Sequence, residues 1–161
     1  MDKPAYVYVT YIKAPADKVW QALTDGEVTR KYWFHHRNAS DWKVGSAWRH
    51  EEYDDPSIVD ILRKVVENDR PNRLVVSWAS PKEALDPAKY SRVTYDIVED
   101  RGVTRLTVTH DQLEAGSSME RGITSGWPMV LANLKTYLET GEALPPMKER
   151  EEGKWKNVRF G

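Results

Sequence analysis

The chain predicts an α+β fold: a curved antiparallel sheet wrapped around a long C-terminal helix, with two short helices after the first strand. Three patterns carry this. Apolar and polar residues alternate with a period of two between Trp42 and His110, as half-buried strands require. Ile123, Trp127, Val130, Leu131, Leu134 and Leu138 then form an apolar stripe at helical spacing. A third pattern, over residues 15–33, is helical and follows directly on a strand-like segment. A sheet with one apolar face must be covered, and a single helix laid across a curved sheet leaves a wedge of space between them.

The first strand covers Ala5 to Lys13, rich in β-branched and aromatic residues, with Tyr6, Tyr8, Thr10 and Ile12 on one face. Pro15 suits the first turn of a helix over 15–24, where its missing N–H costs nothing, and Gly26 is placed to end that helix. A second short helix is expected from Glu27 to Trp33. The segment Trp42-Lys43-Val44-Gly45-Ser46 reads as a short strand and turn, followed by strands near 47–53, 58–67 and Arg73 to Ala79. Residues 80–89, with two prolines, form a loop. A hairpin follows, in which Val93, Tyr95 and Ile97 face one way and Asp100-Arg101-Gly102 turns the chain into Leu106, Val108 and His110. Pro128 requires that the last helix begin near Ser125 or bend after a turn over 118–124. Residues 1–144 are expected to form one domain, and 145–161 a charged extension beyond it.

The composition excludes several function classes. The formal charge is −1, with 24 basic and 25 acidic residues intermixed, so no basic face for nucleic acid is expected. There is no cysteine, hence no disulfide, zinc–thiolate site or cysteine nucleophile. The N-terminus has no signal-peptide pattern, and no apolar run approaches a bilayer span, so membrane insertion is not expected and a cytoplasmic location is. No phosphate loop, nucleophile elbow or zinc-protease motif occurs.

Pro15-x-x-x-Val19-Trp20-x-Ala22-Leu23-Thr24-Asp25, Trp42-x-Val44-Gly45-Ser46 and Arg73-Leu74-Val75-x-x-Trp78 resemble the START-related helix-grip superfamily, SRPBCC. Residues 104–110 and the run from Gly126-Trp127-Pro128 to Leu138-Glu139-Thr140-Gly141 resemble its branch of homologues of the activator of heat-shock protein 90 ATPase. The match spans roughly residues 5–142. The resemblance implies the helix-grip fold with a pocket between sheet and last helix. It implies less about activity, because the superfamily holds lipid and hormone binders, cyclases, hydroxylase domains and co-chaperone domains.

Candidate site residues follow from the aromatic usage: seven Trp and eight Tyr against two Phe. A dry core has little use for so many N–H and O–H groups, whereas a pocket with polar handles does. Trp33, Trp48, Trp78, Tyr95, Trp127 and Leu131 are expected at the pocket wall, with Tyr8 contributed by the first strand. His50 and His110 share the apolar register and could exchange protons with a ligand, with Glu52 orienting His50; either could equally be a buried histidine held by backbone. His35-His36 lacks the further ligands of a metal site, and no cofactor is expected. The clusters at Glu51-Glu52 and Asp54-Asp55 read as solvated faces.

The leading functional expectation is a protein that binds a small hydrophobic or amphipathic molecule in this wedge. The alternatives are an enzyme of cyclase, isomerase or hydrolase type using a pocket histidine, and a chaperone-associated module that stimulates a chaperone ATPase. A homodimer formed through an exposed edge strand is left open.

Overall fold

A computed structural model describes residues 3–153. Seven antiparallel strands form one curled sheet in the order β1-β7-β6-β5-β4-β3-β2, where β1 is Tyr6–Ile12, β2 His36–Ala39, β3 Ala47–Glu52, β4 Val59–Asp69, β5 Arg73–Trp78, β6 Ser91–Asp100 and β7 Val103–Asp111. Helices α1 (Ala16–Thr24) and α2 (Gly26–Tyr32) follow β1, α3 (Ser118–Thr140) lies across the sheet, and α4 (Pro145–Glu151) closes the described chain. This is the helix-grip arrangement. The alternation in β1 is as expected: Val7, Val9 and Tyr11 are exposed, Ile12 is fully buried, and Tyr6 and Tyr8 pack partly buried against the core. The β6–β7 hairpin turns at Arg101 and Gly102, both at positive φ.

The sequence reading needs four corrections. First, the short strand expected at 42–46 is a turn, with positive φ at Trp42 and Gly45. The strand lies earlier, at β2, and pairs with β3. Its buried residues, His36 and Asn38, are polar, so it shows no apolar alternation. Second, Gly26 opens α2 rather than merely ending α1. A Cβ there would lie 2.8 Å from Arg37 Cβ, so this position allows α2 to sit tightly on β2.

Third, α3 is continuous through Pro128. Proline removes only the donor to the Thr124 carbonyl, at an exposed residue where water can replace it. The helix start is set by Ser117, whose Oγ accepts from Glu120 N at 3.1 Å, while Glu120 Oε1 accepts from Gly116 N at 2.8 Å. Gly141, at φ 89°, ends it in the left-handed region. Fourth, residues beyond 144 begin with a helix seated on the domain. Met147 of α4 is 2% exposed within the core, and Arg30 of α2 pairs with Glu151 at 2.8 Å. Trp155 and the rest of the expected extension lie outside the described residues.

Candidate functional site

The curl of the sheet turns alternate side chains of β3, β5, β6 and β7 toward α3. Trp48 and His50, Trp78, Tyr95, and His110 are thereby all buried, and Trp78, Tyr95 and His110 meet Trp127 of α3. Trp33, at the end of α2, enters from the flank. The rings form a continuous cluster: Trp48 to Trp78 at 5.3 Å between centroids, Trp78 to Trp127 at 5.7 Å, Trp127 to Trp33 at 5.4 Å and Trp33 to His50 at 4.8 Å. Tyr95 meets Trp127 edge-on at 6.1 Å. Edge-on and tilted pairs are the favoured geometries of aromatic rings, so the cluster is cohesive as well as apolar.

Most polar tips of this cluster are satisfied by the protein. The Trp48 indole donates to Ser77 O at 2.8 Å. Trp127 Nε1 donates to His110 Nδ1 at 3.1 Å, so Nε2 carries the proton of the neutral ring and donates to Ser91 Oγ at 2.8 Å. Both nitrogens of His110 are thus committed, and burial pushes its pKa down to about 4. His50 pairs through Nδ1 with Asn38 Oδ1 at 2.7 Å, and Asn38 Nδ2 donates to Leu23 O at 3.0 Å. Burial, then the neighbouring His36 ring stacked at 4.7 Å, hold His50 well below the usual histidine range. Neither His50 nor His110 has a carboxylate hydrogen-bond partner among the described residues. Trp78 Nε1 is buried without an acceptor among the described residues.

Between this cluster and the first half of α3 a cavity of about 150 Å³ remains. Its wall comprises Trp33, Phe34, His50, Ile61, Trp78, Gly122, Ile123, Gly126, Trp127 and Val130. Of the expected residues, Trp33, His50, Trp78 and Trp127 line it; Tyr8, Trp48, Tyr95, His110 and Leu131 do not. The last four are fully packed core, within which Trp48, Leu131 and His110 are essentially inaccessible. Sequence reasoning missed the two glycines, which form an open stretch of the helix wall: a Cβ at either would meet nothing within 4 Å. It also missed Phe34. Phe34 and His35 both have positive φ, unusual for residues with side chains, and this turn from α2 into β2 sets Phe34 at the cavity. Contacts from α4 hold the turn: Phe34 N donates to Met147 Sδ at 3.1 Å and Arg150 Nε donates to Phe34 O at 3.3 Å.

On the other side of that turn lies a polar surface groove lined by Arg30, His35, Glu52, Asp54 and Glu151, among others. Glu52 opens onto this groove, and among the described residues no hydrogen bond joins it to His50, although β3 runs in regular register against β2 and the bulge lies in β4, at Asp60. Glu51, read from sequence as solvated, is instead buried, on the opposite face of β3 from His50. It is 6% exposed and bridged by Arg37 at 2.9 Å and Arg49 at 3.2 Å. His35 pairs with Asp54 at 2.9 Å, while His36 turns inward onto Phe34 O and Asp60. Among the described residues no group of His, Asp and Glu is arranged to hold a metal, and no helix is long and apolar enough to cross a membrane.

This fold and its aromatic-lined cavity define a helix-grip protein. Residues 13–139 match the family model described as activator of Hsp90 ATPase homolog 1-like protein, and the chain belongs to that family. Among solved structures it is similar to CalU16 from Micromonospora echinospora, at 20% identity over 94% of this chain and 84% of that one, with a TM-score of 0.69. An HSP90 activator from Plasmodium falciparum is similar at 22% identity over 83% and 95%, also with a TM-score of 0.69. The Aha1 dimer from Colwellia psychrerythraea is similar at 19% identity over 87% and 99%, with a TM-score of 0.67. These likenesses carry the fold. A search of curated proteins finds no significant match.

Proposed function

We propose that the protein binds a small hydrophobic or amphipathic molecule in the cavity between the sheet and α3. The observation that carries this is the incomplete filling of the wedge. Three indoles and the His50 imidazole, tilted against one another, line it, yet the helix surface opposite is bare at Gly122 and Gly126. Affinity would come from apolar burial at about 25 cal/mol per Å², before the costs of association. The test is native mass spectrometry of protein purified gently from its own host. A retained small molecule, lost on Gly126→Leu, supports the reading; a chain that is always empty and takes up no apolar probe in titration opposes it.

A second reading has its own observation. Val7, Val9 and Tyr11 stand 57%, 48% and 58% exposed on the outer face of β1, an edge strand, with Val98 and Val103 nearby on the hairpin. An exposed apolar strip of this kind suits a protein partner. Two of the similar structures are described as an HSP90 activator and as a dimer. A chaperone or a second copy of this chain would therefore dock on β1. Stimulation of a chaperone ATPase that is lost on Val9→Lys favours the first; concentration-dependent dimerisation lost on the same substitution favours the second.

A further inference from the structure

The wall of the cavity restricts what can occupy it, given that it is a binding site at all. A cavity of about 150 Å³ lined by apolar side chains holds a molecule the size of benzene. Three indoles and Phe34 face such a guest, which favours a planar ring over a flexible chain of the same volume. No Asp, Glu, Lys or Arg contributes to the wall, and a charged guest would be desolvated without a counter-charge.

Among the described residues three side-chain polar atoms of the wall are left unmatched, on Trp33, His50 and Trp78. Asn38 Nδ2 donates to Leu23 O, which fixes the amide so that Oδ1 accepts. His50 Nδ1 must then carry the proton it shares with Asn38 at 2.7 Å. That makes Nε2 a lone-pair acceptor, and it has no partner among the described residues, although His50 is only 6% exposed. Trp33 Nε1 and the buried Trp78 Nε1 are donors with no acceptor among the described residues. The unmatched acceptor of His50, on the cavity wall, is complementary to a donor such as a hydroxyl.

Resting on the binding reading above, we propose that the site takes an uncharged, singly ringed alcohol of the phenol type, its ring among the indoles and its O–H donating to His50 Nε2. The experiment is calorimetric titration of the full chain with four probes: phenol, toluene, anisole and benzoate. Phenol and toluene are nearly isosteric, so their ratio reads the hydroxyl. Phenol should bind about three- to tenfold more tightly than toluene, the worth of one neutral hydrogen bond. Anisole, which keeps the oxygen but has no proton to give, should bind no better than toluene, and benzoate at least about tenfold more weakly than phenol.

His50→Leu should bring phenol and toluene to equal affinity. Should that variant not fold, because Asn38 loses its partner, the comparison of phenol with anisole on the native chain reads the same bond. Toluene binding as tightly as phenol overturns the hydroxyl assignment while leaving the cavity reading intact. Benzoate binding as tightly as phenol overturns the neutral class. Phenol binding unchanged in Gly126→Leu places it elsewhere and overturns the proposal. If no probe binds at all, it is the binding reading beneath it that fails.

Discussion

His110 makes the folded state sensitive to acid in a way that can be worked through. Its Nδ1 accepts from the Trp127 indole and its Nε2 donates to Ser91. Protonation would set a second N–H against the Trp127 N–H inside a residue that is 0% exposed. Burial therefore lowers its pKa from 6.5 to about 4 in the fold, against a smaller opposing pull from Asp111. The unfolded chain binds the proton more readily, so stability falls as pH falls. The contribution is intact above the unfolded value of 6.5, declines as pH drops toward 4, and is gone below it. At 1.36 kcal/mol for each pH step, the full loss is about 3 kcal/mol, of which about 2 kcal/mol has gone by about pH 5. The assay is urea unfolding of the native chain and of His110→Asn, which retains an acceptor for Trp127, at about pH 7.5 and about pH 5. Other titrating groups, His50 and the carboxylates included, cancel in the difference between the two proteins. The stability advantage of the native chain should shrink by about 2 kcal/mol at the lower pH. A difference independent of pH would refute the assignment of a neutral, doubly bonded His110.

Three substitutions probe the rest of the account. Gly126→Ala removes a helix-interior glycine where the new methyl meets nothing within 4 Å, so thermal unfolding should show a gain of about 0.5–1 kcal/mol while apolar probes bind more weakly. Gly26→Ala places a Cβ 2.8 Å from Arg37 Cβ and should cost about 1–3 kcal/mol in urea unfolding as α2 lifts from β2. Met147→Ala removes the buried anchor of α4 and should cost about 2–5 kcal/mol in the same measurement, with faster amide exchange around Phe34, whose N–H it accepts.

What the sequence made legible was whatever folds by repetition of one pattern. Strands β1, β6 and β7 alternate cleanly, and the stripe from Ile123 to Leu138 marks α3, so the grip of sheet on helix followed. The misses have a common physical cause, which is burial of polar groups by specific partners. Strand β2 buries His36 and Asn38 because Phe34 O, Leu23 O and His50 satisfy them, and no periodicity announces such pairings. Glu51 is buried because Arg37 and Arg49 cover it, a pairing that alternation cannot anticipate. Two signals were present and unread: the Ser117-x-x-Glu120 capping box that starts α3, and Pro145-Pro146 at the head of α4. At the site, the aromatic excess located the wall, but only packing distinguishes an indole that lines space, such as Trp78, from one that fills it, such as Trp48. The glycines that leave the space open carry no pattern of their own.

A void persists between the Trp33–Trp78–Trp127 cluster and the bare stretch of α3. A crystal of the protein under xenon pressure tests it most directly, since xenon enters apolar cavities of this size without needing any hydrogen bond. A xenon atom bounded by those three indoles, and absent in Gly126→Leu, is the expected result. Indoles repacked across the wedge, with no xenon between sheet and helix, would contradict it.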